Sequence, residues 1–247
     1  MTSDPVVLIP ARLESRRLPG KALAELGGMP IVIRCANNAI SAGLHACVCS
    51  DSPAILHACR DWGVEHLATP AFATGTDRCT WAAQQLHADS LVVLQGDEPL
   101  ISPSALSAFS AALVSAGSPA NTILNGISPL AAAAAENPNN VKVVQRQNGQ
   151  ISKLTRMPVL SDALSDRLGQ EAAGYLKQLG LYGALLSSFE IFAALEMSLL
   201  EQVESIEMLR WIDAGLVLQG VLLETPAISV DTQSDLDAAQ QWLAAKG

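Results

Sequence analysis

The stretch VVLIPARLESRRLPGKAL, residues 6–23, decides the fold. Its first four residues are apolar without alternation, the pattern of a strand covered on both faces. The chain then passes Pro10 and enters a loop with Arg12, Arg16, Arg17 and Lys21. These are four of the fifteen Lys and Arg residues in a chain of formal net charge -9. A buried strand feeding a basic loop suits an open α/β sheet, whose ligands sit beyond the carboxyl ends of its strands.

Working outward, similar apolar runs recur: ACVCS (46–50), LVVLQ (91–95), TILNGI (122–127), VKVVQ (141–145), LGLYGAL (179–185) and VLQGVLL (217–223). Helical patterns over 30–42, 53–61 and 77–88 lie between or beside the first of them. Pro30, and Pro53 after Asp51 and Ser52, are start signals. Thr232 with Asp235 opens the last helix as a capping box would. Strand and helix in alternation predict right-handed crossovers and a doubly wound, mostly parallel α/β sheet. The region 129–175 is less regular. No long linker appears, so the expectation is one domain over 1–247: a first portion over about 1–115 and an inserted subregion within about 120–215.

The bulk numbers exclude several classes. With 247 residues, 49% hydrophobic and 16% charged, the chain can bury a large core and is not disordered. No apolar run is long enough to span a membrane, and the N-terminus lacks the signal-peptide pattern, so a cytoplasmic location is expected. The five cysteines, 35, 47, 49, 59 and 79, are odd in number and scattered. They read as small buried side chains rather than a disulfide framework. An acidic pI near 4.8 argues against nucleic-acid binding and leaves room for a small anion in a local basic pocket.

Backbone amides near Gly20, with Arg and Lys side chains, suit a polyphosphate. The loop is neither a P-loop nor a dinucleotide fingerprint, since both glycine patterns are missing. Two acids stand at other strand ends: Asp97 in LVVLQGDEPL and Asp231 in ISVDTQSDL. Alone, Asp97 reads equally as a turn former and Asp231 as a helix cap. Together with the basic loop they supply the few hard oxygen ligands that Mg²⁺ takes beside phosphate.

These pieces resemble one family. IPARLESRRLPGKAL, TGTDR (74–78), VVLQGDEPLI (92–101), NPNNVKVV (137–144), LGLYG (179–183), IEMLR (206–210) and VDTQSDLDAA (230–239) stand in the order found in CMP-Kdo synthetases, the 3-deoxy-manno-octulosonate cytidylyltransferases. The resemblance runs from about residue 5 to residue 240. CMP-sialate synthetases share the IPAR opening, but their loop usually continues without RLPGK. The resemblance implies a nucleotide-diphospho-sugar transferase-like fold, with the portion over about 1–115 binding the nucleotide and the inserted subregion over about 120–215 binding sugar and dimerising. It also implies a reaction. The anomeric hydroxyl of a 3-deoxy-2-ulosonic acid attacks the α-phosphorus of CTP, pyrophosphate leaves, and the CMP-sugar serves lipopolysaccharide inner-core synthesis.

It implies residue roles as well. Arg12, Arg17 and Lys21 neutralise the triphosphate and Ser15 adds a hydroxyl, whereas Arg16 stands at a variable position. Gly75, Thr76, Asp77 and Arg78 lie beside the cytidine. Asp97 and Asp231 bind Mg²⁺, with Asp97, Arg12, Arg17 and Lys21 as the catalytic set. Gln95, Arg156, Gln178, Tyr182 and Glu207 face the sugar acid. From the residues alone, Tyr182 reads equally as core packing, and Glu207 with Arg210 as a surface ion pair. A homodimer is implied, with LLSSFEIFAALEMSLL (185–200) serving as interface or as core.

Two segments depart from the family pattern. QLGLYGAL (178–185) stands where the family has HLGIYGYR, and RMPVLSD where it has RATIPWDR. The sugar half is thus the weaker match. An amino- or otherwise modified ulosonate, a sugar 1-phosphate, and a non-catalytic nucleotide-binding homologue stand as alternatives.

Overall fold

The computed structural model describes residues 4–15, 17–117, 119, 121–158 and 175–246. Arg16 and most of the divergent segment after Arg156 lie outside the described residues. The strands are β1 (Val6–Ala11), β2 (Glu25–Leu26), β3 (Met29–Pro30), β4 (Ala46–Ser50), β5 (His66–Ala68), β6 (Ser90–Leu94), β7 (Thr122–Leu130), β8 (Lys142–Gln145), β9 (Ile151–Thr155), β10 (Tyr175–Leu185) and β11 (Val217–Leu222). The main helices are α1 (Ile31–Ser41), α2 (Pro53–Asp61), α3 (Gly75–Gln85) and α4 (Pro103–Ser115). Next come α5 (Ala132–Ala135), α6 (Leu186–Ala194), α7 (Leu199–Glu204), α8 (Met208–Asp213) and α9 (Gln233–Ala244).

One sheet runs in the order β11-β7-β10-β6-β1-β4-β5. The pairs β6-β1, β1-β4, β4-β5 and β7-β11 are parallel. β10 lies antiparallel to both β6 and β7, and the β8-β9 hairpin pairs onto it through β8. The doubly wound, mostly parallel α/β sheet is therefore observed. The exceptions are β10 and, at the outer side of its hairpin, β9, because an apolar run carries no information about strand direction.

β1 explains why both faces are covered. Successive side chains of a strand point to opposite faces. Val7 and Ile9 pack with Ile31, Val32 and Ala36 of α1 on one side, while Val6 and Leu8 pack with Cys79 and Ala82 of α3 on the other. All five cysteines are buried and free. The segment 185–200 is divided: Phe189 and Phe192 of α6 belong to the core, whereas Met197, Leu199 and Leu200 are exposed. No helix among the described residues is long and apolar enough to cross a membrane.

α3 starts earlier than the pattern 77–88 suggests. The Thr74 hydroxyl accepts from the Asp77 backbone amide at 3.1 Å, which satisfies an amide of the first turn. Gly75 to Arg78 thus form the opening of a helix rather than a loop. At the far end of the chain, Thr232 and Asp235 form the expected capping box.

Candidate active site

Beyond β1 the chain crosses the basic loop to Gly20, which adopts φ +69°, a left-handed conformation natural to glycine. A single 3₁₀ turn over Lys21–Leu23 follows. Here Lys21 Nζ lies 2.9 Å from Asp97 Oδ2 and 2.9 Å from Asp231 Oδ1. Arg17 adds its Nη2 at 2.9 Å from Asp231 Oδ2 and donates from Nη1 to Asn139 Oδ1 at 2.8 Å. Residues more than two hundred positions apart in sequence thus meet at one sheet edge.

The two acidic loops are fastened to each other. The Val230 amide donates to Asp97 O at 2.8 Å. The Ser229 hydroxyl donates to Glu98 Oε1 at 2.8 Å, and the Gly180 amide donates to the same oxygen at 2.8 Å. Lys177 Nζ closes this buried group by donating to Ser229 Oγ at 2.9 Å and to Ala227 O at 3.1 Å. Gly180 is required by close approach: a Cβ there would stand 2.9 Å from Gln95 Cβ.

Charge is strongly coupled at the junction. Burial opposes the Lys21 ammonium, but Asp97 and Asp231 more than offset it, so its pKa lies above the ordinary lysine value. Burial likewise opposes ionisation of Asp231, and the cations Lys21, Arg17 and Arg156 outweigh it, holding the carboxyl below its usual range. Asp231 therefore stays an anion at neutral pH. Glu207 is the opposite case: burial pushes its carboxyl up, and the Thr76 hydroxyl, donating to Oε2 at 2.5 Å, offsets this in part.

The acids fit a divalent cation. Oxygens from two different loops converge on one positive atom, the Lys21 ammonium. Both carboxylates keep about a fifth of their side-chain surface accessible, 22% for Asp97 and 23% for Asp231. Among the described residues no group of three or more His, Cys, Asp or Glu is placed to hold a metal ion by itself. Asp97 and Asp231 would hold Mg²⁺ with phosphate and water completing the shell.

Two cavities meet here. The larger, about 990 Å³, includes Arg12, Ser15, Arg17, Lys21, Gly75 and Arg78 in its lining. The smaller, about 170 Å³, includes Lys177, Gln178, Tyr182 and Glu98. Gln95, Asp97, Arg156, Ser205, Glu207 and Asp231 line both. The basic loop thus faces the larger space, the divergent strand β10 faces the smaller, and the acids stand at the boundary.

Several residues have a different setting from the one their motif suggests. Thr76 is fully buried and lines neither cavity; it reaches Glu207 across the site. Asp77 serves the first turn of α3 and also lines neither cavity. Arg78 pairs with Asp51 at 3.1 Å, bonds Thr69, and lies over Phe72, its Cζ 5.9 Å from the ring centroid. Arg156 donates to three backbone carbonyls, those of Glu204, Pro138 and Ser205, and keeps its remaining donors for the cavities. Glu207 is not the partner of Arg210. That arginine makes a buried two-pronged pair with Glu201, both contacts at 2.7 Å. Tyr182 both packs in the core and lines the smaller cavity. Phe72, Lys177 and Ser229 are site residues without a motif of their own. Glu98 had a signal, being the acid next to Asp97.

A family profile described as cytidylyltransferase matches residues 6–222. The chain belongs to the cytidylyltransferase family. A 3-deoxy-manno-octulosonate cytidylyltransferase of Chloroherpeton thalassium is 34% identical over 245 residues, covering 98% of each chain. One of Neisseria gonorrhoeae is 36% identical, covering 94% of this chain and 95% of that one. A solved CMP:2-keto-3-deoxy-manno-octonic acid synthetase complexed with CTP superposes on this cytidylyltransferase with a TM-score of 0.87 at 29% identity, covering 99% and 100% of the two chains. An apo UDP-glucose pyrophosphorylase, at 13% identity and a TM-score of 0.68, covering 100% and 99%, shares the fold.

Proposed function

We propose that this enzyme transfers the cytidylyl group of CTP to a 3-deoxy-2-ulosonic acid, Kdo itself, releasing pyrophosphate and supplying CMP-Kdo for lipopolysaccharide synthesis. The observation that carries the reading is the junction of two unequal cavities at Asp97 and Asp231, with the basic loop on the larger side. CTP occupies the larger cavity and the sugar acid the smaller, so the α-phosphorus and the anomeric hydroxyl meet between the carboxylates.

The chain's own groups do the positioning. Arg12, Arg17 and Lys21 balance the triphosphate charge, and Lys21 shifts from the carboxylates onto phosphate as the nucleotide enters. Arg156 and Lys177 bring positive charge to the sugar-acid side. The hydroxyl oxygen bonds to the α-phosphorus, the bond to the bridging oxygen of pyrophosphate breaks, and the hydroxyl proton is released. Asp97 and Asp231 would hold Mg²⁺, which would supply charge neutralisation on phosphate and lower the pKa of a bound hydroxyl. Holding charged groups in place accounts for much of the catalysis in phosphoryl transfers.

One observation favours a second reading, a modified ulosonate. Gln178 in the smaller cavity is neutral where the family pattern has histidine. Pyrophosphate release decides between the readings, using CTP, UTP, GTP and ATP crossed with Kdo, amino-substituted ulosonates, sialate and hexose 1-phosphates. Release with CTP and Kdo above all other pairs supports the first reading. Release with no ulosonate would overturn both.

We further propose a cytoplasmic homodimer. The exposed apolar side chains Met197, Leu199, Leu200 and Val203 support a self-contact there. Sedimentation at micromolar protein reads the dimer directly, and a monomer would refute that part.

A further inference from the structure

β10 contains an irregularity beside the smaller cavity. Its register with β7 shifts between the pairs Gln178–Ile127 and Tyr182–Asn125. A bulge of this kind interrupts the ladder and leaves backbone groups without strand partners. Asn125, fully buried, fills that place. Its Nδ2 lies 3.0 Å from each of the carbonyl oxygens of Gly126, Leu179 and Leu181. Carbonyl oxygens only accept, so the atom facing all three is the nitrogen. The amide of Asn125 has one possible orientation, with Oδ1 turned the other way.

That oxygen lies 2.8 Å from Gln178 Nε2. Since Asn125 Oδ1 only accepts, the Gln178 atom facing it is the amide nitrogen. The orientation of Gln178 follows in turn from that of Asn125. Gln178 Oε1 has no hydrogen-bond partner among the described residues, and it is not one of their fully enclosed, unsatisfied atoms. Gln178 lines the smaller cavity, whereas Asn125 lines neither.

We infer that Asn125 locks Gln178 so that it presents a fixed, neutral acceptor to the sugar-acid cavity, and that the substrate places a hydrogen-bond donor, a hydroxyl or an amine, against it. Asn125 acts through Gln178 and is a positioning residue. Gln178 is the residue that reads the substrate. An unlocked glutamine offers donor or acceptor alike and discriminates less. A site built to bond a hydroxyl rejects the analogue that lacks it, because the site's own polar group is then left unpaired. This inference rests on the proposed transfer to an ulosonic acid, whose control is turnover by the unaltered enzyme.

The test pairs variants with analogues. Kdo analogues with each hydroxyl in turn replaced by fluorine, and matching amino analogues, are assayed by kcat/KM with the unaltered enzyme, Gln178→Leu and Asn125→Leu. Direct binding of each sugar is measured by calorimetry. The unaltered enzyme is expected to lose about tenfold or more on removal of one particular donor. Gln178→Leu should abolish that preference, leaving KM for CTP unchanged. Asn125→Leu should weaken the same preference several-fold without touching the cavity, and thermal unfolding shows whether it is folded. A preferred amine in place of the hydroxyl supports the inference and identifies the donor. If no analogue shows a preference that Gln178→Leu removes, the inference fails. If Asn125→Leu is folded and discriminates as the unaltered enzyme does, the lock is refuted. Absence of turnover by the unaltered enzyme with every ulosonate would instead refute the proposed function.

Discussion

Lys21→Met separates metal binding from catalysis. In the structure Lys21 Nζ makes two bonds of 2.9 Å to Asp97 and Asp231, the oxygens assigned to Mg²⁺. Hydrogen bonds to charged groups are each worth about 1.5–3 kcal/mol net. A metal entering the nucleotide-free site must displace this ammonium, which then regains part of its hydration. The net hindrance is therefore smaller than the sum of the bonds, about 1.4–2.8 kcal/mol, or roughly 10- to 100-fold in affinity. Methionine is unbranched like lysine, one heavy atom shorter, and carries no charge. Mg²⁺ titrated calorimetrically into nucleotide-free Lys21→Met should bind tighter by that factor. Turnover should move the opposite way, falling about 10²–10³-fold, as for loss of one group stabilising transition-state charge. Unchanged metal affinity would refute the claim that lysine and metal share the same oxygens. Turnover within about threefold of the unaltered enzyme would refute the role of Lys21 on the triphosphate.

Other consequences can be measured separately. Gly180→Ala places a Cβ 2.9 Å from Gln95 Cβ and 3.1 Å from Glu98 Cγ. It should cost about 1–3 kcal/mol in denaturant unfolding and raise KM for the sugar more than for CTP; an unchanged sugar KM would contradict the placement. Glu207 has a raised folded pKa, so its contribution to stability is intact below the ordinary glutamate value and is lost as pH rises through the folded value. Glu207→Gln escapes that loss, and its melting temperature relative to the unaltered enzyme should climb as pH rises above the ordinary glutamate value; parallel curves would show that burial does not raise the Glu207 pKa. Glu201→Gln breaks the buried pair with Arg210 and should destabilise by about 3–5 kcal/mol. Because Glu201 lines neither cavity, kcat below the melting range should hold, and a collapse of kcat would show that the Glu201–Arg210 pair supports the site.

The sequence makes the nucleotide side legible because its groups lie on strand ends that composition marks clearly. VVLI and LVVL are buried on both faces, and the residues that follow them, Lys21 and Asp97, meet as the α/β rule requires. Capping chemistry was equally readable at Thr232. The helix Pro103–Ser115 carries the same kind of signal, Ser102 accepting from the Ala105 amide just before Pro103. β5, only three residues long, has too short a pattern to show any period. The sugar side is less legible for a physical reason. Its decisive contacts, Thr76 with Glu207, Ser229 with Glu98 and Asn125 with Gln178, join distant segments through single side chains. The last depends on a bulge in β10, which no hydrophobic pattern announces. The pairing of Arg210 with Glu201 rather than Glu207 shows the same limit, since helical spacing offers neighbours but tertiary packing selects among them.

Transfer of the cytidylyl group from CTP to the sugar acid at the junction of Asp97 and Asp231 has a direct chemical signature. The signature is read by following phosphorus. CTP labelled with radioactive phosphorus at the α position, and separately at the γ position, is incubated with Kdo, Mg²⁺ and enzyme, and the products are separated. The α label should appear in the sugar nucleotide and the γ label in pyrophosphate, with both transfers lost in Asp97→Ala. Label from the γ position on the sugar, or α-label transfer that survives Asp97→Ala unchanged, would rule out cytidylyl transfer at this junction.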